Sequence, residues 1–103
     1  MEAVYSGNIY KNDYMVFKDG FIIKSSPENR TMTWGYIGGG VAQLALLMLI
    51  NECGYSFNEA KYKASKFAYS YLSSLPDDWQ LTSKQIQFYA SQISNTSSQT
   101  EIK

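Results

Sequence analysis

The alternation of apolar and polar positions divides the chain into a strand-like first quarter and a helical remainder. Val4 and Tyr5, then Ile9 and Tyr10, flank the string Ser6-Gly7-Asn8, which reads as a bulge or bend. Tyr14-Met15-Val16-Phe17 and Phe21-Ile22-Ile23 lie on either side of Lys18-Asp19-Gly20. Asp-Gly between two β-type runs signals a hairpin, because both residues tolerate positive φ. The spacing predicts a three-stranded antiparallel meander, with strands near residues 3–11, 13–18 and 20–25.

Residues 25–33 are polar and contain Pro27, so they predict a loop. Trp34-Gly35-Tyr36 and Gly38-Gly39-Gly40 follow. Each glycine inside a helix costs about 1 kcal/mol relative to alanine. The three therefore predict a lead-in turn, where the backbone passes close to something. A helix runs from Val41 to about Cys53, and Gly54 closes it as a left-handed stop. That helix is apolar nearly all round, with Gln43 near its start and Asn51-Glu52 near its end. Such a helix is buried on several sides. It belongs between the sheet and the other helices, or partly in a homodimer interface. The run from Val41 to Ile50 spans only about 15 Å as a helix, half of a bilayer core. It is predicted as a core helix and not as a membrane span.

Ser56-Phe57-Asn58-Glu59 is a capping box that opens a second helix. This helix is predicted to run to about Ser74, before Pro76. Its inward stripe is Phe57, Ala60, Ala64, Phe67, Ala68, Tyr71 and Leu75, at helical spacing. Asp77-Asp78-Trp79-Gln80 reads as a turn. Thr82-Ser83-Lys84-Gln85 is a second capping box, with Leu81 and Ile86 as its hydrophobic staple. The third helix runs to about Ile93 and buries Ile86, Tyr89, Ala90 and Ile93. From Ser94 the chain is Ser, Thr, Asn and Gln, which predicts disorder. The expected organisation is a single α+β domain over residues 1–93 and a disordered polar tail over 94–103. In it, a three-stranded antiparallel meander precedes three helices packed on one another and on the sheet.

At 103 residues and 45% apolar content the chain can bury one core without staples. Nine basic residues balance nine acidic ones, so no global basic field draws the chain to nucleic acid. The N-terminus has no signal-peptide pattern, which predicts a cytoplasmic protein. The single cysteine, Cys53, falls in an apolar helical run and reads as a core thiol. There is no histidine. That removes the commonest general base and both the Ser-His and Cys-His pairs, and it leaves no transition-metal ligand set. Asp13, Asp19, Glu28, Asp77 and Asp78 sit in turns, where they serve as turn formers and solvated charge. The expectation is a protein that is not an enzyme, with no catalytic residues, no metal and no cofactor.

Two surfaces remain as candidates for binding. The first is Trp34, Tyr36, Gly38, Gly39 and Gly40, with Gln43 as the polar group at the helix start. A glycine-rich turn opening a helix is the plan of an anion site, because free N–H groups and the helix dipole converge there. The same glycines would equally let Trp34 and Tyr36 close over the helix start. The segment lacks the Lys-Ser/Thr of a phosphate loop and does not match G-x-G-x-x-G. The alternative surface is the outer face of the second helix, with Tyr62, Lys63, Lys66 and Tyr69. These could contact phosphates and stack bases, or form a solvated face that needs no partner.

The string Trp34 to Leu46, W-G-Y-I-G-G-G-V-A-Q-L-A-L, resembles the mark of a small domain family of prokaryotes, phages and archaeal viruses. Tyr5-Ser6-Gly7 matches its N-terminal Y-x-G, Leu75-Pro76 its second-helix ending, and Trp79-Gln80-Leu81-Thr82 its W-x-L-T. Val41 departs from the small residue or proline expected at its position. The resemblance brings no established activity, so no catalytic role is carried over. The bias to Tyr, Ile, Ser and Lys also resembles proteins of viruses that infect hot, acidic archaea. The expected role is that of an accessory or binding protein of a virus or mobile element, working in the host cytoplasm. Its partner would be a protein before a nucleic acid, or a second copy of the chain, and no membrane is implied.

Overall fold

The computed structural model describes residues 2–102, with side chains described over residues 2–93. The tail expected to be disordered, 94–103, lies outside the residues described with their side chains.

The meander forms as predicted: β1 (Val4–Tyr10), β2 (Asp13–Lys18) and β3 (Phe21–Ile23) pair antiparallel. Lys11 and Asn12 form the first two-residue turn at φ 51 and 69, and Asp19 and Gly20 the second at φ 52 and 85. Turns with both central residues at positive φ match the right-handed twist of the flanking strands. The Asp19 carboxylate also accepts from the Val4 amide at 2.9 Å, which pins the second turn to β1.

The sheet has four strands, not three. β4 (Trp79–Thr82) takes in Trp79 and Gln80 of the predicted turn and pairs antiparallel with the free side of β1, giving the order β3-β2-β1-β4. Trp79 stands opposite Gly7 and Leu81 opposite Tyr5. Trp79, Leu81 and Thr82 suit a strand, but the run is only four residues long and sits between the turn formers Asp77-Asp78 and a helix cap, so nothing local marks it. What makes it a strand is the unpaired edge of β1, a partner far away in sequence. Ser83 fastens the junction by donating its amide to the Ala3 carbonyl at 2.9 Å, while its Oγ accepts from the Ala3 amide at 2.8 Å.

β1 also runs unbroken through Ser6-Gly7-Asn8, where a bulge or bend was expected. Gly7 serves a different purpose. A Cβ built there would lie 2.4 Å from Trp79 Nε1, so the bare backbone is what lets the indole cross the strand.

The helices lie on the sheet. α1 (Gly39–Cys53) ends at Gly54 with φ 69, the left-handed stop that was predicted. Gly39 and Gly40 belong to its first turn, where sequence predicted a lead-in turn ahead of a helix starting at Val41. First-turn N–H groups have no intrahelical acceptor, so glycine forfeits little there. Leu44 to Leu49 are all buried within one chain, so the apolar girth of α1 is covered without a second copy. α2 (Phe57–Phe67) starts at Ser56, whose Oγ accepts from the Glu59 amide at 3.2 Å. α3 (Ser83–Ile102) opens on the predicted capping box: Thr82 Oγ1 accepts from the Gln85 amide at 3.2 Å and Gln85 Oε1 from the Thr82 amide at 2.8 Å. Ile86, Ala90 and Ile93 are buried, and Tyr89 is half-buried.

The second helix departs from its predicted stripe at both ends. Phe57 is exposed, with the Lys61 ammonium 5.7 Å from its ring centre. After Phe67 the coil widens into a π turn over Ala68–Leu72, where the Ser73 amide reaches back to the Ala68 carbonyl at 2.9 Å. The extra residue rotates the remainder of the stripe. Leu72 is fully buried, while Tyr71 is half-buried and stacks on Tyr89 with ring centres 4.3 Å apart and 8° between planes.

Candidate functional site

Three of the six residues singled out around the glycine turn hold the fold together. Trp34 is buried and stands edge-to-face between Tyr14, at 4.8 Å, and Trp79, at 5.4 Å. Gly40 gives way to Thr33: a Cβ there would lie 2.3 Å from Thr33 Oγ1, and the Thr33 amide donates to the Gly40 carbonyl at 3.1 Å. Gln43 is a tether. Its Nε2 donates to Glu28 Oε1 at 2.8 Å and its Oε1 accepts from Ser26 Oγ. Lys61 pairs with the other oxygen of Glu28, so residues 26–28 are bound to both α1 and α2. The Lys61 hydrogen bond, and then that of Gln43, hold the Glu28 carboxyl below the usual carboxylate range.

Tyr36, Gly38 and Gly39 stay at the surface. The Tyr36 ring lies over Gly38, where a Cβ would come within 2.6 Å of it, and its hydroxyl bonds Thr33 Oγ1 at 2.8 Å. With Ile37, Ser65 and Tyr69 these residues border a half-open, mostly apolar cavity of about 260 Å³, floored by Val41, Ala42 and Ala68. Ile37 is 71% exposed and Tyr69 64% exposed. No side chain caps the start of α1 here, and its first turn carries no acidic residue.

The outer face of α2 adjoins this cavity. Tyr62, Lys66 and Tyr69 are exposed as predicted. Lys63 is not on that face. It is buried, with its ammonium 5.5 Å from the centre of the Tyr55 ring. Position 63 falls beside Ala60 and Ala64 on the inward side of the helix, where an alkyl stem packs and a cation rests on an aromatic face. Lys61 is committed to Glu28. The basic character of the face therefore shrinks to Lys66. Two further cavities, about 250 and 290 Å³, open between α2 and α3. Tyr62, Ser65 and Lys66 border one, and Lys66, Tyr69 and Ser70 border the other, with Ile93 common to both. Ser65 and Tyr69 also line the first cavity. The two surfaces that sequence offered as alternatives thus meet along one ridge.

Ile37 and Ser65 were not foreseen. Ile37 was legible as the large aliphatic residue beside Tyr36 inside a glycine string. Ser65 was legible as the position three residues after Tyr62 and four before Tyr69, on the same helical face.

Elsewhere, the Tyr5 hydroxyl donates to Glu52 Oε2 at 2.6 Å, and Lys18 Nζ lies 3.7 Å from the same carboxylate. Burial first, and then the bond to Glu52, push the Tyr5 hydroxyl well above the usual phenol range. The group ties β1 and β2 to the end of α1. Cys53 is half-buried, and burial pushes its thiol up to about 11. At pH 8 such a thiol holds on the order of a hundredfold less thiolate than a free cysteine. Reaction with a disulfide reagent under native conditions is therefore expected to run at least about tenfold slower than with unfolded chain. Equal rates in the two states would contradict the burial of Cys53.

Among the described residues no three His, Cys, Asp or Glu side chains come together as a metal site, and no helix is long and apolar enough to cross a membrane. No curated protein and no solved structure matches the chain. A family model, described as a family of unknown function (DUF6166), matches residues 5–92, a span that runs from the core tyrosine of β1 through the glycine turn and the ridge of α2 to α3, and the chain belongs to that family.

Proposed function

We propose that the chain is a non-catalytic binding domain that docks a protein partner on the ridge of α2 and the adjoining glycine turn. One observation carries the reading. Four large apolar side chains that the fold leaves outside, Tyr36, Ile37, Tyr62 and Tyr69, border adjoining cavities along that ridge. Tyrosine presents a wide apolar surface with a polar tip, at little entropic loss when it is immobilised, and is enriched in interfaces for that reason. The first cavity adds concavity, which single exposed hydrophobics lack. Gln43, the polar group of the predicted patch, is engaged in holding the loop over residues 26–28, and the Tyr36 hydroxyl is engaged with Thr33. The compositional bias toward Tyr, Ile, Ser and Lys supports an accessory protein of a virus or mobile element, acting in the host cytoplasm.

A photo-crosslinking residue placed at position 69 is the test, with position 10 on the sheet as control, since Tyr10 is also 61% exposed. In an extract of the source organism, position 69 is expected to give a discrete protein adduct and position 10 none. Adducts of equal yield at both positions, or nucleic-acid adducts alone at position 69, would count against a protein-docking ridge.

A further inference from the structure

The three cavities share residues: Ser65 and Tyr69 connect the first to the other two, and Lys66 joins those two to each other. Their volumes, about 250 to 290 Å³, fall below the roughly 300–1,000 Å³ of sites that enclose a small molecule or cofactor. Cavities of that size fit single apolar side chains. Tyr62 on α2 and Tyr69 on the π turn that continues it are seven residues apart along the ridge, or about 10 Å. That matches the i to i+7 reach of anchors on an amphipathic peptide helix.

The charges around the cavities have one sign. Among the described residues, none that lines them is acidic, and the two charged ones are Lys63 and Lys66. Lys63 is spent on Tyr55, which leaves Lys66 as the exposed charge at the junction. The uncapped start of α1 adds the positive end of a helix dipole beside Gly38 and Gly39. This is a locally positive, apolar-socketed surface on a chain whose net charge is zero. One exposed lysine is too little for a nucleic-acid backbone, which typically engages six to ten phosphates, about one cation each.

Resting on the docking reading above, we infer that the ridge takes an acidic amphipathic segment of a protein partner, its apolar side chains seated in the sockets and a carboxylate on Lys66. The test titrates isotope-labelled chain with four probes. These are a twelve-residue peptide of Leu and Glu, its Leu-and-Lys counterpart, its Ser-and-Glu counterpart, and a twelve-residue oligothymidylate. The Leu-and-Glu peptide is expected to move the amides of Gly38 to Val41 and Ser65 to Tyr69. The Ser-and-Glu peptide leaves them in place. Lys66→Glu, an exposed change that keeps the melting temperature, weakens the Leu-and-Glu peptide about three- to tenfold and reverses the preference between Glu and Lys peptides. The inference is overturned if the Leu-and-Lys peptide binds the unaltered chain as tightly, if only the oligothymidylate moves these amides, or if no probe does. A protein adduct at position 69 alongside such a result would leave the docking ridge standing and remove only the acidic partner. Loss of both would remove the ridge as well.

Discussion

Replacing Trp34 with alanine is expected to remove about 3–5 kcal/mol of stability. The side chain is 2% exposed and fills the space between the sheet and the segment leading into α1. Its two edge-to-face contacts, with Tyr14 and Trp79, each add about 0.5–1.5 kcal/mol beyond area burial. One feature works the other way. Trp34 Nε1 and Trp79 Nε1 are both buried without a hydrogen-bond acceptor, and only a ring face, in the edge-to-face geometry seen here, can soften that penalty. Trp34→Phe keeps the edge contacts and removes the orphaned N–H, so it should cost markedly less than alanine. Domains of this size have about 5–15 kcal/mol in total. The alanine variant should thus melt roughly 15–25 °C lower, with an unchanged urea m-value. A loss under about 1 kcal/mol would mean that Trp34 does not bridge the sheet and the loop.

Gly7→Ala should be nearly as damaging, although it adds one methyl group. The added carbon would lie 2.4, 2.5 and 2.7 Å from three atoms of the Trp79 indole. The indole is rigid and buried, so the overlap cannot be relieved by bending a side-chain end. Overpacking of this kind costs about 1–3 kcal/mol, and more where nothing can shift. The mechanism makes a second demand. In a Trp79→Leu background the three indole atoms nearest the added methyl are gone, and alanine in a strand is no worse than glycine. A coupling of about 2 kcal/mol between the two positions is therefore expected in a double-mutant cycle. Equal losses in both backgrounds would falsify the account of Gly7 as a slot for Trp79.

Features decided within a few residues were legible before any coordinates. Asp19-Gly20 announced its turn through tolerance of positive φ. Gly54 announced the end of α1, and Ser56 and Thr82 announced their caps through side-chain oxygens placed to accept from the backbone. Features decided by distant partners were not. β4 is only four residues, wedged between Asp77-Asp78 and the cap of α3, and its strand is revealed by the free side of β1 with which it pairs. Gly7 looked like a bend because its partner, Trp79, lies at the far end of the chain. The π turn has no local mark, and it moved burial from the predicted stripe to Leu72. In the candidate site, exposure of Tyr62 and Tyr69 followed from helical phase. The fate of Lys63 and Gln43 depended on Tyr55, Ser26 and Glu28, which no periodicity brings near them.

The pairing of β1 with β4 has a consequence for the newborn chain. Ala3 and Ser83 are eighty positions apart, yet they are hydrogen-bonded neighbours. Closing a loop of that length costs about 4 kcal/mol in chain entropy, so the contact forms late. At about 5–20 residues per second, several seconds of translation separate the strand from its mate. Throughout that interval β1, the longest strand, keeps its outer edge bare, the kind of template on which chains stick to one another. A ribosome that stalls before Trp79 releases a fragment that cannot heal this edge, which makes such fragments the natural substrates of chaperones and proteases.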